Sequence, residues 1–392
     1  MSTVPIRMHG QLAEKMMQLA ETSAGTPMGE LLRRFWHPIA ISADVAPGKA
    51  KKVRLLSEDL TLYRSENGNA HLVAGRCAHR LTMLHTGWIE GEEIRCMYHG
   101  WKFDGEGKCV ERPAEKNCRE TNIRIAAYPV HEYSGLVFAY LGQGEPPEFD
   151  LPRNSAFERE DVMLFQRKQI WPCSWLQNVE NSLDAAHVSF AHVMGRVGEF
   201  GNAITTEVPE LAYQETEAGI CQTATRRASS QVRVSDWTFP SENHVTMPGI
   251  SPGDPWIEVS NWMVPIDDTH VMRTSLYAVP LSTPESNERI SAYFKDVGDY
   301  NAADYHDELF AGEYPADPLI RLTAAQDYVV LVGQGAIADR VNEKLGSSDL
   351  GIATLRRILW RELDAMRAGT PTKAWRRLER SSRLFVKGDM VR

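Results

Sequence analysis

Cys77-Ala78-His79 and Cys96-Met97-Tyr98-His99 constrain this chain more than any other residues in it. Each short segment offers one thiol and one imidazole, and two such loops side by side can hold one metal centre. Four thiolates would suit an all-cysteine iron–sulfur cluster or a structural zinc. Two cysteines with two histidines suit either a structural zinc or a [2Fe–2S] cluster in which imidazole replaces thiolate on one iron. Neutral imidazole donates less negative charge than thiolate, so such a cluster is easier to reduce and serves as a relay. In a zinc finger the second ligand pair is two histidines on a helix, whereas here each loop carries one Cys and one His. The second pair runs on as Gly100-Trp101-Lys102-Phe103-Asp104. Gly, Trp and Phe let a loop pack closely over a redox centre and keep water off it, which makes Trp101 part of the cofactor environment.

At 392 residues the chain is long enough for two domains with sizeable cores. A net charge of −9 leaves no excess of Lys and Arg to neutralise phosphates, which excludes nucleic acid as a partner. The longest apolar run, Gly135 to Leu141, is far too short to span a bilayer and reads as a buried strand. No charged segment followed by an apolar stretch opens the sequence, so the expected location is the cytoplasm. Of six cysteines, Cys109, Cys118, Cys173 and Cys221 show no disulfide-scaffold spacing and read as free thiols.

Residues 10–36 read as helical, with Thr26 as N-cap, Pro27 at the first position and Leu31, Leu32, Phe35 and Trp36 on one face. From about 38 to 145 short alternating runs broken by Gly, Asn and Asp predict an all-β domain with both Cys/His pairs at hairpin tips. Gly144-Glu145-Pro146-Pro147 through Leu151-Pro152 marks the clearest boundary. A helical segment near 174–194 follows, then strands from about 204 to 280, with Val264–Val271 as strand, turn and strand. From about 302 the chain reads as helical. Ser347-Ser348-Asp349 caps a last helix whose Leu350, Ala353, Leu355, Ile358 and Leu359 recur at helical spacing. The division is a helical segment 1–37, a β domain 38–147 and a second domain 148–392.

A second constellation lies in Asn181-Ser182-Leu183-Asp184-Ala185-Ala186-His187 and continues to His192. Asp184 and His187, three apart, share one side of a helix. His187 and His192, five apart, sit about 140° apart around an ideal helix, so both reach one ion only if the helix ends or bulges between them. Two histidines and a carboxylate bind iron(II) and leave positions open for O2. Asp327 is the favoured third ligand: it lies in an apolar segment of the first C-terminal helix, where an isolated carboxylate is costly. The same residues also suit a polar helix surface and, at Asp327, a helix N-terminal acid.

Taken together, the motifs resemble those of Rieske non-haem iron oxygenases. Cys-x-His and Cys-x-x-His-Gly-Trp match the cluster domain, and Asn-x-x-Asp-x-x-His-x4-His matches Asn181, Asp184, His187 and His192. Trp175-Leu176-Gln177, Gly25-Thr26-Pro27-Met28-Gly29 and the Val264–His270 stretch resemble the phthalate dioxygenase-like branch. The resemblance implies an α+β chain with an all-β Rieske domain and a helix-grip-like catalytic domain of antiparallel sheet and C-terminal helices. It implies a Rieske [2Fe–2S] cluster on Cys77, His79, Cys96 and His99, and a mononuclear iron on His187, His192 and Asp327. That branch usually carries Gln-Glu four to five residues after the iron Asp. Leu331 and Val332 stand there, which predicts a less polar pocket.

The function so implied is a terminal oxygenase that uses O2 and electrons to hydroxylate or oxidatively demethylate a small aromatic, carboxylated compound. Electrons come from a separate NAD(P)H-dependent reductase of flavin or ferredoxin type, since the chain shows no glycine motif for either nucleotide. Asp184 would bridge His99 of one subunit to His187 of the next, in a homotrimer or dimer of trimers. Arg226, Arg227 and Arg233 are candidates to pair with a substrate carboxylate. Trp256, Trp262, Met247, Phe239 and Met263 are candidates for pocket wall or for core. The other class of function is a non-catalytic Rieske-type electron carrier or binding protein with an inactive second domain.

Overall fold

The computed structural model describes residues 6–115, 122–149, 155–192, 207–228, 230–317 and 319–376. The chain forms two compact units, one of Ser23–Gly25 and Leu32–Phe149, the other of Met1–Thr22, Thr26–Leu31 and Asp150–Arg392. Cys118, the end of the Gly144–Pro152 stretch and residues 193–206 lie outside the described residues. No helix of the described residues is long and apolar enough to cross a membrane.

The single helical reading of 10–36 is replaced by α1 (Ile6–Ala20), α2 (Pro27–Leu32) and a strand, β1 (Trp36–Ile41). Thr26 closes the gap before α2, its hydroxyl accepting from the Gly29 amide at 3.2 Å and donating to the Glu21 carbonyl at 3.0 Å. Such a cap contributes about 1 kcal/mol. Leu31 and Leu32 are buried in α2, but Trp36 has left the helix and its indole donates to the Pro147 carbonyl.

The first unit is built from three small antiparallel sheets. β1 pairs with β11 (Leu136–Tyr140), which pairs with β10 (Val130–Tyr133). All five residues of β11 are buried, as a strand covered on both faces requires. A second sheet orders β2 (Ala50–Leu55), β3 (Glu58–Arg64), β4 (Ala70–Ala74) and β9 (Ala127–Tyr128). The third joins β5 (Trp88–Glu90), β6 (Glu93–Arg95), β7 (Lys102–Phe103) and β8 (Cys109–Glu111). Tyr63, Leu84, Ile94 and Phe103 form a core around the buried Cys77 and Cys96.

In the second unit a seven-stranded antiparallel sheet carries the chemistry. It starts at β12 (Val162–Trp171), crosses to the far edge at β13 (Glu210–Glu215), and meanders back through β14 (Gly219–Arg226), β15 (Gln231–Thr238), β16 (Glu242–Met247) and β17 (Ile257–Asp267). The last strand, β18 (His270–Pro280), closes against β12. Asp267 Oδ1 pins the β17–β18 turn, accepting from the Thr269 amide and hydroxyl, each at 3.0 Å. After α3 (Ser155–Glu158), α4 (Trp175–Ser182) and α5 (Val188–Ala191) come α6 (Pro284–Gly298), α7 (His306–Phe310), α8 (Ile320–Val332) and α9 (Leu350–Arg367). α4 packs on β16, β17 and β18 and against α8.

Three elements escape the sequence reading, α3, β12 and α6, and Asp327 lies on α8 and not on the first helix after the sheet. Ser347–Asp349 forms a short 3-10 turn ahead of α9, whose buried face is Gly351, Leu355, Ile358, Leu359 and Leu363. Leu350 and Ala353, expected in that stripe, are exposed.

Candidate metal centres and substrate cavity

Two loops with matching backbone present the four Cys and His side chains. The Leu81 amide donates to the Cys77 carbonyl and the Gly100 amide to the Cys96 carbonyl, each at 3.0 Å. Each loop then reverses on a positive φ, +59° at Leu81 and +72° at Gly100. Glycine takes that conformation freely, whereas Leu81 takes it against the ordinary preference of a branched side chain. The first loop is closed by an Arg76–Met83 bridge and the second joins β6 to β7, so both pairs sit at hairpin tips.

The His79 and His99 rings are 4.5 Å apart at 68°, and Trp101 stacks on His79 at 4.6 Å and 4°. The Nδ1 atoms of His79 and His99 are both buried without a hydrogen-bond partner. Burial, with the Cys96 sulfur alongside, pushes the Cys77 thiol up to about 11, so a thiolate there needs a cation between the sulfurs. Two orphaned imidazole nitrogens and two buried thiols lining one small pocket fit a Cys2His2-ligated cluster.

In the second unit the helix stops at Ser182, ahead of both Asp184 and His187. The expected helical Asp184–His187 pair is therefore corrected. Asp184 sits in a turn, where its Oδ1 accepts from the amides of Ala186 at 3.1 Å and His187 at 3.2 Å. His187 and His192 flank the four residues of α5 as its N-cap and C-cap. With His192 past the last helical turn, the two rings approach to 5.4 Å. One ligand atom each from His187, His192 and Asp327 lie within 4.8 Å of one another. Asp327 Oδ1 is 3.6 Å from His187 Nε2 and 3.4 Å from His192 Nε2.

His192 Nδ1 lies 3.0 Å from Gln326 Oε1, which can only accept, so Nδ1 carries a proton. Burial lowers the pKa of the ring, but the Asp327 carboxylate beside Nε2 raises it overall, and Nε2 is the position a metal cation would take in place of a second proton. His187 Nδ1 is buried without a hydrogen-bond partner and faces Asp184 Oδ2 at 3.8 Å. Burial keeps His187 neutral by lowering its pKa. Burial would raise Asp327, but the hydrogen bond and charge of His192, with Arg273, hold it well below the usual carboxylate range. A neutral imidazole and a carboxylate are the forms that bind a metal. Asn181 Nδ2 donates to Asp327 Oδ1 at 3.4 Å. These residues fit a divalent iron held by two imidazoles and one carboxylate.

The triad opens on a cavity of about 180 Å³ whose floor is the sheet. Strand register sets a polar row across four strands: Arg167 opposes Ser275, Ser275 opposes Asn261, and Asn261 opposes Asn243. Val245, Met247, Val259, Met263 and Tyr277 supply the apolar lining from the strands, and Val188 and Ile320 add to it from the helices. Three guanidinium groups line the same space. Arg167 donates to the Tyr300 carbonyl at 2.6 Å, but its buried Nε has no partner. Arg233 donates to the Thr246 carbonyl through Nε at 3.2 Å and Nη2 at 2.9 Å. Burial and the nearby Arg226 lower its pKa to about 10. Arg273 lies over the Trp171 ring at 4.0 Å, with Nη2 3.6 Å from Asp327 Oδ2 and a buried, unpartnered Nη1.

Of the three arginines singled out from sequence, only Arg233 reaches the cavity. Arg226 is buried and donates to the Glu207 carbonyl, while Arg227 pairs with Glu210 at an exposed edge. Met247 and Met263 line the cavity; Trp256, Trp262 and Phe239 do not, and Phe239 stacks on Trp375. Leu331 lines a different cavity and Val332 neither, so the expected loss of pocket polarity does not follow. That second cavity, about 540 Å³, shares Asp184 and Asn181 with the first and is also lined by Glu180, Glu343 and Arg356. Sequence reading missed Gln326, Arg167 and Arg273. Gln326 stands beside Asp327, and a polar residue in that apolar stretch was its one available signal.

Residues 35–130 match the Rieske [2Fe-2S] domain, and residues 139–379 match the family described as LigXa C-terminal domain like. The 5,5'-dehydrodivanillate O-demethylase oxygenase subunit of Sphingobium sp. (strain NBRC 103272 / SYK-6) is 32% identical over 376 residues, covering 92% of this chain and 82% of that protein. The phthalate 4,5-dioxygenase oxygenase subunit of Pseudomonas putida is 30% identical over 388 residues, covering 91% and 87%. Among solved structures, Pseudomonas putida CBB5 NdmA with caffeine aligns with a TM-score of 0.67 at 20% identity, over 86% of this chain and 93% of that one. That likeness concerns the fold. The Rieske [2Fe-2S] match over residues 35–130 replaces the structural zinc, and the matches across the catalytic lobe support an oxygenase over the inactive electron carrier. The chain thus belongs to the Rieske non-haem iron oxygenases, in their phthalate dioxygenase-like branch, as an oxygenase component with a Rieske [2Fe–2S] cluster and a mononuclear non-haem iron.

Proposed function

We propose that this oxygenase acts on a small aromatic carboxylate, by ring hydroxylation or oxidative demethylation. The observation that carries this reading is the lining of one cavity by Arg167, Arg233 and Arg273 with Asp327, among the described residues, the only carboxylate paired to any of them there. Buried cations are costly unless paired, and a guanidinium suits a carboxylate by its paired donors. The apolar Val259, Met263 and Tyr277 would take the ring.

In this reading Cys77, His79, Cys96 and His99 hold the cluster under the cover of Trp101, and His187, His192 and Asp327 hold the iron. When bound, the cluster relays single electrons and the iron activates O2 beside the substrate. Gln326 keeps the His192 proton on Nδ1, and Asn181 steadies the Asp327 carboxylate. Arg233 orients the substrate over the sheet face. Electrons arrive from a separate NAD(P)H-dependent reductase of flavin or ferredoxin type. Asp184, which borders both cavities, would accept one hydrogen bond from His187 Nδ1 and one from His99 of the partner subunit. Such a head-to-tail contact closes most simply as a trimer, or a dimer of trimers. The cytoplasm is the proposed location.

The test is a panel of aromatic acids and their methyl ethers, beside their neutral amides, supplied with a reductase and followed by coupled O2 uptake and product mass. Turnover of acids with gain of oxygen or loss of a methyl group is expected. Equal turnover of acid and amide would overturn the carboxylate reading.

A further inference from the structure

Behind the substrate cavity, a line of easily oxidised rings leads away from Asp327. Trp171 ends β12 on the same face as the cavity-lining Arg167 and Gln169, and it is fully buried. Its indole donates to Gln169 Oε1 at 3.3 Å. The Arg273 guanidinium lies between Asp327 and the Trp171 ring. Tyr328, the residue after Asp327, meets Trp171 edge-on with ring centroids 5.5 Å apart. The Tyr328 ring is buried, yet its hydroxyl lies 2.8 Å from Nδ1 of the exposed His306.

We propose that Trp171, Tyr328 and His306 form a one-electron discharge path from the iron site to the surface, used when no substrate takes the oxidising equivalent. Indole and phenol are the side chains most readily oxidised by one electron. Trp171 gives one electron to the over-oxidised site, which is reduced by one. Tyr328 then gives one electron to the indole cation radical and restores Trp171. The phenolic proton passes to His306 Nδ1 along the existing hydrogen bond, since a proton acceptor must lie within that reach. The products are a neutral tyrosyl radical and an exposed imidazolium; a thiol or ascorbate in solution then returns the electron and releases its own proton to water, while the imidazolium hands its proton back to the phenol. The guanidinium over the Trp171 face makes indole oxidation harder, so weak oxidants do not drain the site. Without the path, the oxidising equivalent falls on cavity side chains, and Met247 and Met263 are the most oxidisable of these.

The inference rests on iron being held at His187, His192 and Asp327, so the experiment reads that first. Iron-loaded, cluster-containing protein without substrate is mixed with hydrogen peroxide, freeze-quenched for electron paramagnetic resonance, and digested for mass spectrometry. Iron content is measured on each sample, with His187→Ala as the iron-depleted control. Wild type is expected to give a neutral tyrosyl signal, and Tyr328→Phe, which keeps the ring, to lose it while sulfoxide at Met247 and Met263 rises several-fold. His306→Gln keeps an acceptor but no base. It should lower the radical yield, and added imidazole should restore it. A radical signal and methionine oxidation unchanged in Tyr328→Phe, at equal iron content, overturn the path. Iron content unchanged in His187→Ala overturns the site assignment instead.

Discussion

Gln326 holds His192 by its outer nitrogen: Oε1 lies 3.0 Å from Nδ1, and both groups are buried. One residue further along α8, Asp327 faces the inner nitrogen of the same ring. The two neighbours thus take opposite ends of one imidazole, and the proton stays on the side away from the metal. Gln326→Leu removes the acceptor and frees the tautomer. Partners of this kind typically carry about 10- to 100-fold in metal affinity. Iron retention against a graded chelator should fall by that much, with the red-brown cluster absorption unchanged. Unaltered retention would show that Gln326 does not set the ligand.

His187→Ala separates the two centres. It removes one nitrogen of the triad and leaves all four cluster side chains in place. Mononuclear iron should be lost while the cluster spectrum persists, as read by metal analysis and visible absorption. Loss of the cluster colour with activity retained would reverse the assignment.

At Asp184 charge and shape can be tested apart. Its Oδ1 accepts two amides and so builds the turn that aims His187. Asp184→Asn keeps that acceptor and loses the charge, and should retain both metals yet lose most turnover. Asp184→Ala also loses the cap, worth about 1 kcal/mol, and should bind iron more weakly as well. Normal turnover in the Asn variant would remove Asp184 from the electron path.

Much of this was legible in the sequence, and the parts that were not share a cause. The cluster ligands stand in two short loops, and local spacing suffices to find them. The His187/His192 pair was legible as a geometric demand, because five residues on a regular helix cannot face one ion. α5 ends at Ala191, between the two as that demand requires, while the further end of α4 at Ser182 was not foreseen and leaves Asp184 to cap amides from a turn. β12 was hidden by its own role. Gln166-Arg167-Lys168-Gln169 interrupts the apolar alternation that marks a strand, because Arg167 and Gln169 face a polar cavity instead of a core. Arg167 was therefore passed over along with its surroundings, whereas Arg273 stands on β18, within the strands read from sequence, and only its contact with Asp327 across the fold marks it. Arg226, Arg227 and Arg233 look alike in sequence, and only strand register and the sheet edge separate them. α6 was legible and overlooked: Thr283 caps it ahead of Pro284, as Thr26 precedes Pro27.

Arg233→Met should discriminate among substrates more than it slows chemistry. A hydrogen bond to a charged group contributes roughly 1.5–3 kcal/mol, which is roughly ten- to a hundredfold in KM. Steady-state O2 uptake should show that rise for an aromatic acid, with kcat changed far less and the neutral amide little affected. A parallel loss for acid and amide would make Arg233 a structural residue of β15.

Glu180 tests what holds α4 in place. Its carboxylate accepts from Arg340 through Nε at 3.1 Å and Nη2 at 2.8 Å, and from Arg356 Nε at 2.7 Å. The Arg340 side chain is 1% exposed, so it has no water to turn to. Removing one partner from a buried ion group leaves an uncompensated charge and costs roughly 3–5 kcal/mol. Glu180→Ala should therefore lower the unfolding midpoint by roughly 6–20 °C, read by circular dichroism on metal-loaded protein. Because Asn181 follows on the same helix and donates to Asp327, iron should also be held less tightly. Glu180→Gln keeps one acceptor for the arginines and should fall between wild type and Ala. An Ala variant that melts with wild type would mean that solvent reaches Arg340 after all, and that α4 is held by its apolar face alone.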